Sequence, residues 1–342
     1  MSENRSFDNP FEDYSVVNHF LEPNSCQMKD KTKEFLSENI KKLLNYLEKN
    51  ISKSIDSNDY TIYTGSSGYA LLYLHLSDVL GDNKFLDKCL PLIESIRKLN
   101  SKRYTFLCGD SGVLTIQSIV HHLKGNQKQC NQSLNSLKSM VVFTTDINTE
   151  LPDEMLYGRT GFLYSLLFIR KLIPNSNQII EDKDIRAVID AILRSGQRTS
   201  RREGMSDRCP LMYLWHEKAY VGAAHGLIGI MALLLEAKSY LSAEEINRLV
   251  RPTVDFILSI RFTSGNLPSS LGNGSDRLVH WCHGCPGAVH LFCLAYQTFK
   301  DESYLTAAKD SCDCIWNRGL LRKGCNSFKL FILNIFFNQL IH

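Results

Sequence analysis

A G-x-x-G motif followed by a run of apolar residues occurs five times along this chain, and no other feature limits the possible folds as strongly. The copies are Gly65–Gly68, Gly109–Gly112, Gly158–Gly161, Gly226–Gly229 and Gly284–Gly287. Their first glycines are 44, 49, 68 and 58 residues apart (109−65, 158−109, 226−158 and 284−226). This spacing leaves room for two helices and their turns in each unit. Five copies in the same context therefore indicate an internal repeat.

The recurrence of glycine at these helix starts has two explanations. Glycine has no Cβ, so it permits close approach of a neighbouring segment, and packing is the simpler reading of any single copy. The exposed N–H groups of a helix start also favour an anion, which would place binding where all the repeats converge. Both explanations stay open at the level of the sequence.

Amphipathic stretches lie between the glycine motifs. From Phe35 to Ile51, apolar residues recur at helical spacing and charged residues occupy the opposite face. Similar stretches are predicted around residues 84–99, 179–195, 243–261 and 302–318. The polar and basic residues 197–209 are predicted as a surface loop, and no segment alternates convincingly as a strand would. An apolar inner helix and an amphipathic outer helix per unit predict an all-α fold, the α/α toroid.

Composition narrows the functional classes. With 342 residues, 44% of them hydrophobic, the chain can bury a large core, and a formal charge of +3 does not suggest a nucleic-acid binder. The polar, acidic N-terminus predicts no signal peptide, and Ser2 removes the acceptor for N-myristoylation. Eleven cysteines in such a chain are expected as reduced thiols in the cytoplasm, so no disulfide framework is predicted.

Candidate chemistry gathers at the fourth and fifth motifs. YVGAAHG places His225 directly before a glycine-started helix, and HWCHG places Cys282 and His283 at the equivalent position one repeat later. The positive end of a helix dipole disfavours imidazolium and favours a thiolate. Each residue alone could be structural, but two such sites in register around one ring favour a functional mouth.

These motifs resemble the LanC-like family, the eukaryotic relatives of the bacterial lanthionine cyclases. The resemblance covers about residues 5–324, through TGSSG, FLCGDSG, DEMLYGRTGFLY, YVGAAHGL, SGNLP, LVHWCHG and GLLRKG in order. It implies a seven-unit toroid that binds zinc and glutathione. It also implies addition of the glutathione thiol to electrophiles, including dehydrated serine and threonine residues in peptides and proteins. About five units are expected in a single domain, 1–324, followed by a divergent apolar tail, 325–342.

The resemblance assigns roles to five residues. By position, Cys282 matches the first zinc ligand, and His225 matches the histidine proposed for acid and base work. Glu154 stands about where the bacterial cyclases have a functional aspartate, and Arg159 and His283 complete the catalytic candidates. In the implied mechanism, zinc lowers the pKa of the glutathione thiol, and the thiolate attacks the β-carbon of an unsaturated acceptor. A nearby imidazolium or lysine then donates a proton to the enolate.

The resemblance ends near the last motif. Lys323 in GLLRKG resembles a glutathione-binding lysine, and Arg5 is a weaker candidate for that role. At family spacing, the expected Cys-His ligand pair falls on Phe328 and Lys329, neither of which is a normal zinc ligand. We therefore expect a C-terminally truncated or alternative form with an incomplete zinc site. Whether it is an enzyme stays open.

Alternatives remain for the cysteines, the tail and the function. A rebuilt zinc site could use Cys285, Cys312, Cys314 or Cys325 with Cys282, and the C-x-x-C formed by Cys282 and Cys285 also resembles a redox motif. The tail is too short and too interrupted by polar residues to span a membrane, so a packed helix or an interfacial segment is expected. The alternative function is a non-catalytic glutathione-binding or signalling scaffold, in the cytoplasm or peripherally at the plasma membrane.

Overall fold

Helices follow one another along the chain, joined by connections of one to 25 residues. The computed structural model describes residues 5–10, 20–22, 27–56, 58–94, 96, 99 and 103–322. Within these ranges, β-structure is limited to isolated bridges. The α-helices are α1 Asp30–Ser54, α2 Ser66–Leu80, α3 Asn83–Glu94, α4 Asp110–Leu123, α5 Gln127–Ser139, α6 Val141–Thr145, α7 Arg159–Leu172, α8 Asp182–Arg202, α9 Leu227–Glu236, α10 Ala243–Glu245, α11 Arg251–Ser259, α12 Cys285–Phe299 and α13 Glu302–Arg318. A π-helical turn, Ile246–Val250, joins α10 to α11.

Each G-x-x-G motif begins an inner helix, as the sequence predicts. The first glycine of every copy is the N-cap residue of a helix, and the helices that follow are α2, α4, α7, α9 and α12. Every residue of α9 from Leu227 to Leu235 is buried. Burial of one large apolar side chain contributes about 1.5–3 kcal/mol, so such a helix is stable only with neighbours on all sides.

The glycines are required by a clamp that the preceding loop forms over each helix start. In all five copies, a Cβ added to either glycine would lie less than 3.0 Å from the carbonyl oxygen of the residue six positions earlier. These carbonyls belong to Asp59, Ile62, Arg103, Phe106, Pro152, Met155, Tyr220, Ala223, Leu278 and Trp281. A backbone carbonyl has no rotamer to move into, so glycine is the residue that fits. The packing explanation of the motif is therefore confirmed.

The same loops use the first N–H group of the inner helices. In the first four units, the residue after the first glycine donates its N–H to the clamp carbonyl; Asp110 donates to Arg103 at 2.9 Å and Leu227 to Tyr220 at 3.2 Å. In the fifth unit, the Asn266 side chain takes this place and accepts from the Cys285 N–H at 2.8 Å. This N–H is therefore not available to an anion.

The inner helices form an arc around which the outer helices pack. Neighbours in the arc follow chain order, α2 with α4, α4 with α7, α7 with α9 and α9 with α12. Outside them pack α3, α5, α8, α11 and α13, each against the inner helix of its own unit. The fold is therefore an α/α toroid, with five units in the part of the chain that the structure describes.

The N-terminal segment meets the chain after α13. The Phe7 N–H donates to the Leu320 carbonyl at 2.7 Å, and the Arg322 N–H donates to the Arg5 carbonyl at 2.9 Å. The Arg322 guanidinium also lies over the Phe7 ring. The predicted tail, 325–342, lies outside the described residues. None of the described helices is long and apolar enough to cross a bilayer.

Two outer-ring expectations need correction. Residues 197–202 of the predicted loop continue α8, and only the residues after Arg202 leave the helix. Ser200 explains the extension, because its side chain is 1% exposed and donates to the Cys209 carbonyl at 2.6 Å. Helix α5, Gln127–Ser139, was not among the predicted amphipathic stretches, because its sequence QKQCNQSLNSLKS is largely polar and only four residues are buried.

Candidate functional site

A histidine and a buried carboxylate from neighbouring clamp loops meet at the mouth of the ring. His225 Nδ1 lies 2.7 Å from Glu154 Oε2, although 71 residues separate the two in sequence. The Glu154 side chain is 2% exposed and that of His225 is 19% exposed. Such a carboxylate holds the ring proton on Nδ1 and leaves Nε2 to exchange protons with a ligand.

Glu154 is fixed before any ligand arrives. Its two carboxylate oxygens accept the N–H groups of Leu156 at 2.9 Å and Tyr157 at 2.5 Å. The Met155 N–H donates to the Ala224 carbonyl at 3.1 Å, which joins the loop before α7 to the loop before α9. The acid and the histidine are therefore positioned by backbone contacts rather than by flexible side chains.

The residue directly before each first glycine occupies the same position in every unit. In consecutive units this position holds Tyr157, His225 and His283. The ring centroids are 6.1 Å apart for Tyr157 and His225, and 6.4 Å apart for His225 and His283. The repeat therefore presents one side chain per unit to the mouth, so sequence neighbours of glycine become spatial neighbours of one another.

His283 and Cys282 lie against the His225 loop. A Cβ on Gly222 would come within 2.9 Å of the His283 Cα and would collide with the Cys282 carbonyl, so the two motifs touch through this glycine. Burial lowers the pKa of His283, and the charges of His225 and His280 lower it further. Its Nδ1 is buried without a hydrogen-bond partner. Both effects favour the neutral form of His283.

An open cleft of about 960 Å³ lies beside this dyad. Its walls are aromatic and charged, and they include Arg103, Asp146, Glu150, Tyr157, Trp215 and His225. The Arg103 guanidinium lies 5.1 Å from the Tyr157 ring centroid, and Trp215 stacks on His225 at 6.2 Å. The cleft can therefore hold a ligand that carries both charge signs against flat apolar surfaces.

Arg159 supports the rim of the cleft from beneath. Its guanidinium is buried, pairs with Asp153 at 3.0 Å, and donates to the carbonyls of Thr144, Asp146 and Leu151. All of these contacts lie within residues 144–153, which form one wall of the cleft. The structure thus places this predicted catalytic residue below the site, where it orders the loop.

Of the two predicted glutathione-binding residues, the structure describes Arg5. Arg5 is exposed on the N-terminal segment, where its carbonyl pairs with the Arg322 N–H. Lys323 lies outside the described residues. The dyad, His283 and Cys282 are brought together around Gly222, whereas Arg5 belongs to the segment that pairs with the end of the described chain.

The described residues do not supply a zinc site. No three His, Cys, Asp or Glu side chains among them cluster in a way that could hold a metal ion. Cys282 is the ligand candidate that lies at the mouth, and a structural or catalytic zinc needs at least three protein ligands. The rebuilt sites considered for Cys312 and Cys314 are therefore not formed within these ranges.

Two contributors to the site were missed by sequence reasoning. Trp215 lies between the end of α8 and the YVGAAHG motif, and its signal was only an isolated aromatic residue. Arg103 stands six residues before Gly109, at the clamp position. The position six residues before the first glycine would identify Arg103, because the backbone there is fixed against the helix start and holds the side chain in place.

Comparisons with known proteins agree with this architecture. The family model for "Lanthionine synthetase C-like protein" matches residues 56–327. The chain is 40% identical over 328 residues to "Glutathione S-transferase LANCL1" of Danio rerio, which covers 95% of this chain and 80% of that protein. It is 32% identical over 283 residues to "LanC-like protein GCL1" of Arabidopsis thaliana, covering 78% of this chain and 62% of the relative. The chain therefore belongs to the LanC-like family.

A solved structure supports the fold assignment. "Nisin cyclase" superposes with a TM-score of 0.62 over 84% of this chain and 77% of its own, at 16% sequence identity. At that identity the likeness concerns the fold, and it confirms the predicted α/α toroid.

Proposed function

We propose that this chain binds glutathione in the cleft beside His225 and transfers its thiol to an electrophilic double bond. The observation that carries the proposal is the 2.7 Å contact between His225 Nδ1 and the buried Glu154 carboxylate at the cleft wall. The similarity to a relative named glutathione S-transferase supports the identity of the thiol. Dehydrated serine or threonine residues in peptides are the proposed acceptors.

The dyad accounts for the protons of such a reaction. In the proposed step, His225 Nε2 takes the proton from the glutathione thiol, and the sulfur attacks the β-carbon of the acceptor. The electron pair of the double bond then moves to the α-carbon, which regains a proton from the imidazolium. During this cycle the cation lies against the Glu154 carboxylate. Proton transfer by a positioned side chain typically contributes about 10²–10⁴-fold to the rate. The Tyr157 and Trp215 rings lie 6.1 Å and 6.2 Å from the imidazole and 5.9 Å from each other, so the imidazole borders an aromatic surface.

The charges of the cleft suit the peptide part of glutathione. Glutathione carries two carboxylates and one ammonium group at neutral pH. Arg103 offers a cation that can bind a glutathione carboxylate. Asp146 and Glu150 offer carboxylates that can bind its ammonium group. The aromatic surfaces between them leave room for a larger acceptor peptide.

The test is a thiol-addition assay with glutathione and a dehydroalanine peptide. We expect His225→Asn to lower kcat by about 10²-fold or more, and Glu154→Gln to lower it by about 10-fold to 100-fold through loss of the fixed tautomer. His122→Asn, at the far end of α4, is the matched control and should retain wild-type activity. Equal turnover by wild type and His225→Asn would contradict the proposal.

A second candidate, a non-catalytic glutathione-binding scaffold, is favoured by one observation. Of the three zinc ligands that the family resemblance implies, the sequence keeps Cys282, whereas the other two positions hold Phe328 and Lys329. Calorimetric binding of glutathione with no thioether product, by a protein whose cleft variants Arg103→Ala and Trp215→Ala bind more weakly, would select this function. We propose the cytoplasm as the location in either case.

A further inference from the structure

Two buried cysteines, one at the start of α12 and one in α13, form a pair that the proposed transfer reaction does not use. We propose that Cys285 and Cys314 are a peroxide-sensitive thiol pair that is converted into an intramolecular disulfide. The sequence suggested Cys282 as the redox partner of Cys285 through the C-x-x-C spacing. The fold instead turns the Cys285 thiol toward α13, where it donates a hydrogen bond to Cys314.

A closed polar network holds the two thiols in place. The Arg318 Nη1 lies 3.9 Å from Cys314 Sγ and donates to Asp276 Oδ1 at 3.0 Å. Asp276 Oδ1 also accepts from Asn266 Nδ2 at 2.7 Å, and Asn266 Oδ1 accepts the Cys285 N–H at 2.8 Å. Because the Cys285 thiol also contacts Cys314, these contacts form a ring that begins and ends at Cys285. It ties the loop 264–278, the first residue of α12 and the last turns of α13 together.

The network divides the roles of the two sulfurs. The hydrogen bond from Cys285 lowers the pKa of Cys314, and the nearby Arg318 guanidinium lowers it further, against the effect of burial and of Asp276. The same hydrogen bond, together with burial, raises the pKa of Cys285. Cys314 is therefore the nucleophile, and Cys285 is the protonated thiol that resolves the first product.

The environment selects a small oxidant. Cys285 is 0% exposed and Cys314 is 4% exposed, so a peptide disulfide cannot reach either sulfur, whereas hydrogen peroxide is close to water in size. Neither residue is part of a larger cluster of potential metal ligands in the described ranges. A thiolate held against a second thiol, and reached only by small molecules, is suited to peroxide.

The reaction balances with hydrogen peroxide as the oxidant. The Cys314 thiolate attacks one peroxide oxygen, the O–O bond breaks, and a sulfenic acid forms while hydroxide leaves. Cys285 sulfur then attacks the Cys314 sulfur, the S–S bond forms, and the S–O bond breaks. The leaving oxygen takes the Cys285 proton, so two thiols and one peroxide give one disulfide and two waters. The bond would close a span of 29 residues (314−285) across the α12–α13 hairpin.

The experiment treats the reduced, folded protein with hydrogen peroxide, alkylates the remaining thiols after denaturation, and maps the digest by mass spectrometry. We expect a cross-linked peptide pair containing Cys285 and Cys314, lighter by about 2 Da than the two reduced peptides together, with loss of two alkylatable thiols. Cys285→Ala should leave Cys314 as a sulfenic acid that dimedone traps. The control Cys130→Ala, at a buried lone cysteine of α5, should give the wild-type cross-link.

The wild-type digest alone decides the proposal, so a variant that folds poorly does not weaken the test. Accumulation of sulfenic or sulfinic acid on wild-type Cys314 without a cross-link would overturn it. A cross-link between Cys282 and Cys285, or oxidation of Cys130 at the same peroxide dose as Cys314, would overturn it equally. These outcomes are independent of the transfer reaction, because the assay needs neither glutathione nor turnover.

Discussion

Replacing Gly222 by alanine should disturb the site and the fold by a distance that can be read from the structure. The new Cβ would lie 2.9 Å from the His283 Cα and 2.7 Å from the Cys282 carbonyl carbon. Ordinary Cβ contacts begin at 3.4 Å, so these atoms must retreat by about 0.5 Å (3.4−2.9) and 0.7 Å (3.4−2.7), and the Cys282 carbonyl oxygen, 1.9 Å from the new Cβ, by about 1.5 Å (3.4−1.9). The loop that carries both residues has to move as a unit, because its backbone has no rotamers.

The cost of this movement falls on stability and on activity. Overpacking of this kind typically costs about 1–3 kcal/mol, and backbone contacts place Gly222→Ala toward the upper half of that range. Gly222 lies outside the helices, so the better helix propensity of alanine offsets none of it. With a urea m-value near 3 kcal/mol/M, the unfolding midpoint should fall by about 0.8 M. A displacement of about half an ångström at the His283 side of the mouth should lower transfer activity on the order of tenfold.

The assay is urea unfolding followed by far-UV circular dichroism, paired with the transfer assay. Gly274→Ala is the matched control, because nothing lies within 4 Å of its added Cβ and its φ is not in the left-handed region. Its free energy of unfolding should stay within about 0.5 kcal/mol of the wild-type value. An unchanged midpoint for Gly222→Ala would refute the close contact with Cys282 and His283 as the reason for glycine at this position. A shifted midpoint with full activity would refute the role of the loop in the site.

Two further changes test the supports of the mouth. Arg159→Met should destabilise the fold by about 3–5 kcal/mol, because it leaves the Asp153 carboxylate buried without its cation, whereas Arg248→Met, in an exposed pair, should cost under about 1 kcal/mol in the same urea assay. Because the pKa of His283 is lowered in the folded protein, the unfolded chain binds more protons below the ordinary value of 6.5. Stability should therefore fall as the pH drops from 6.5 through the folded pKa, and His283→Gln should reduce that fall; an equal fall in the variant would contradict the assignment.

The spacing of the glycine motifs predicted the inner ring because the clamp is a local device. Each carbonyl that excludes a Cβ lies only six residues before its glycine. The requirement for glycine therefore depends on one loop and one helix start. The helices of the outer ring were harder to predict from the sequence. Helix α5 packs with few buried residues, and α8 runs past its apolar pattern because Ser200 finds a partner in Cys209. Tertiary contacts of this kind override local propensity and leave little trace in the sequence.

The site was predictable only in part, for the same physical reason. His225 and Cys282 were found because they stand one and two residues before a motif glycine. Glu154 was found through the family resemblance, but its contact with His225 joins residues 71 positions apart and depends on how two loops lie side by side. The pairing of Cys285 with Cys314 was not predicted, because C-x-x-C spacing describes a distance along the chain and not the direction of a side chain.

The clamp also explains why recognition at the mouth has to rely on side chains. A ring of helix N-termini would ordinarily attract an anion, but here the first N–H of each inner helix is already hydrogen-bonded, by a loop carbonyl in four units and by Asn266 in the fifth. The loops that accept these bonds carry Arg103, Glu154 and His225, and Cys282 lies in the corresponding loop of the fifth unit. A single backbone arrangement thus removes the unspecific anion site and supplies a fixed position for one chemical group per unit. Variation of ligand within this fold should therefore occur at the residues just before the first glycines, while the glycines themselves stay constant.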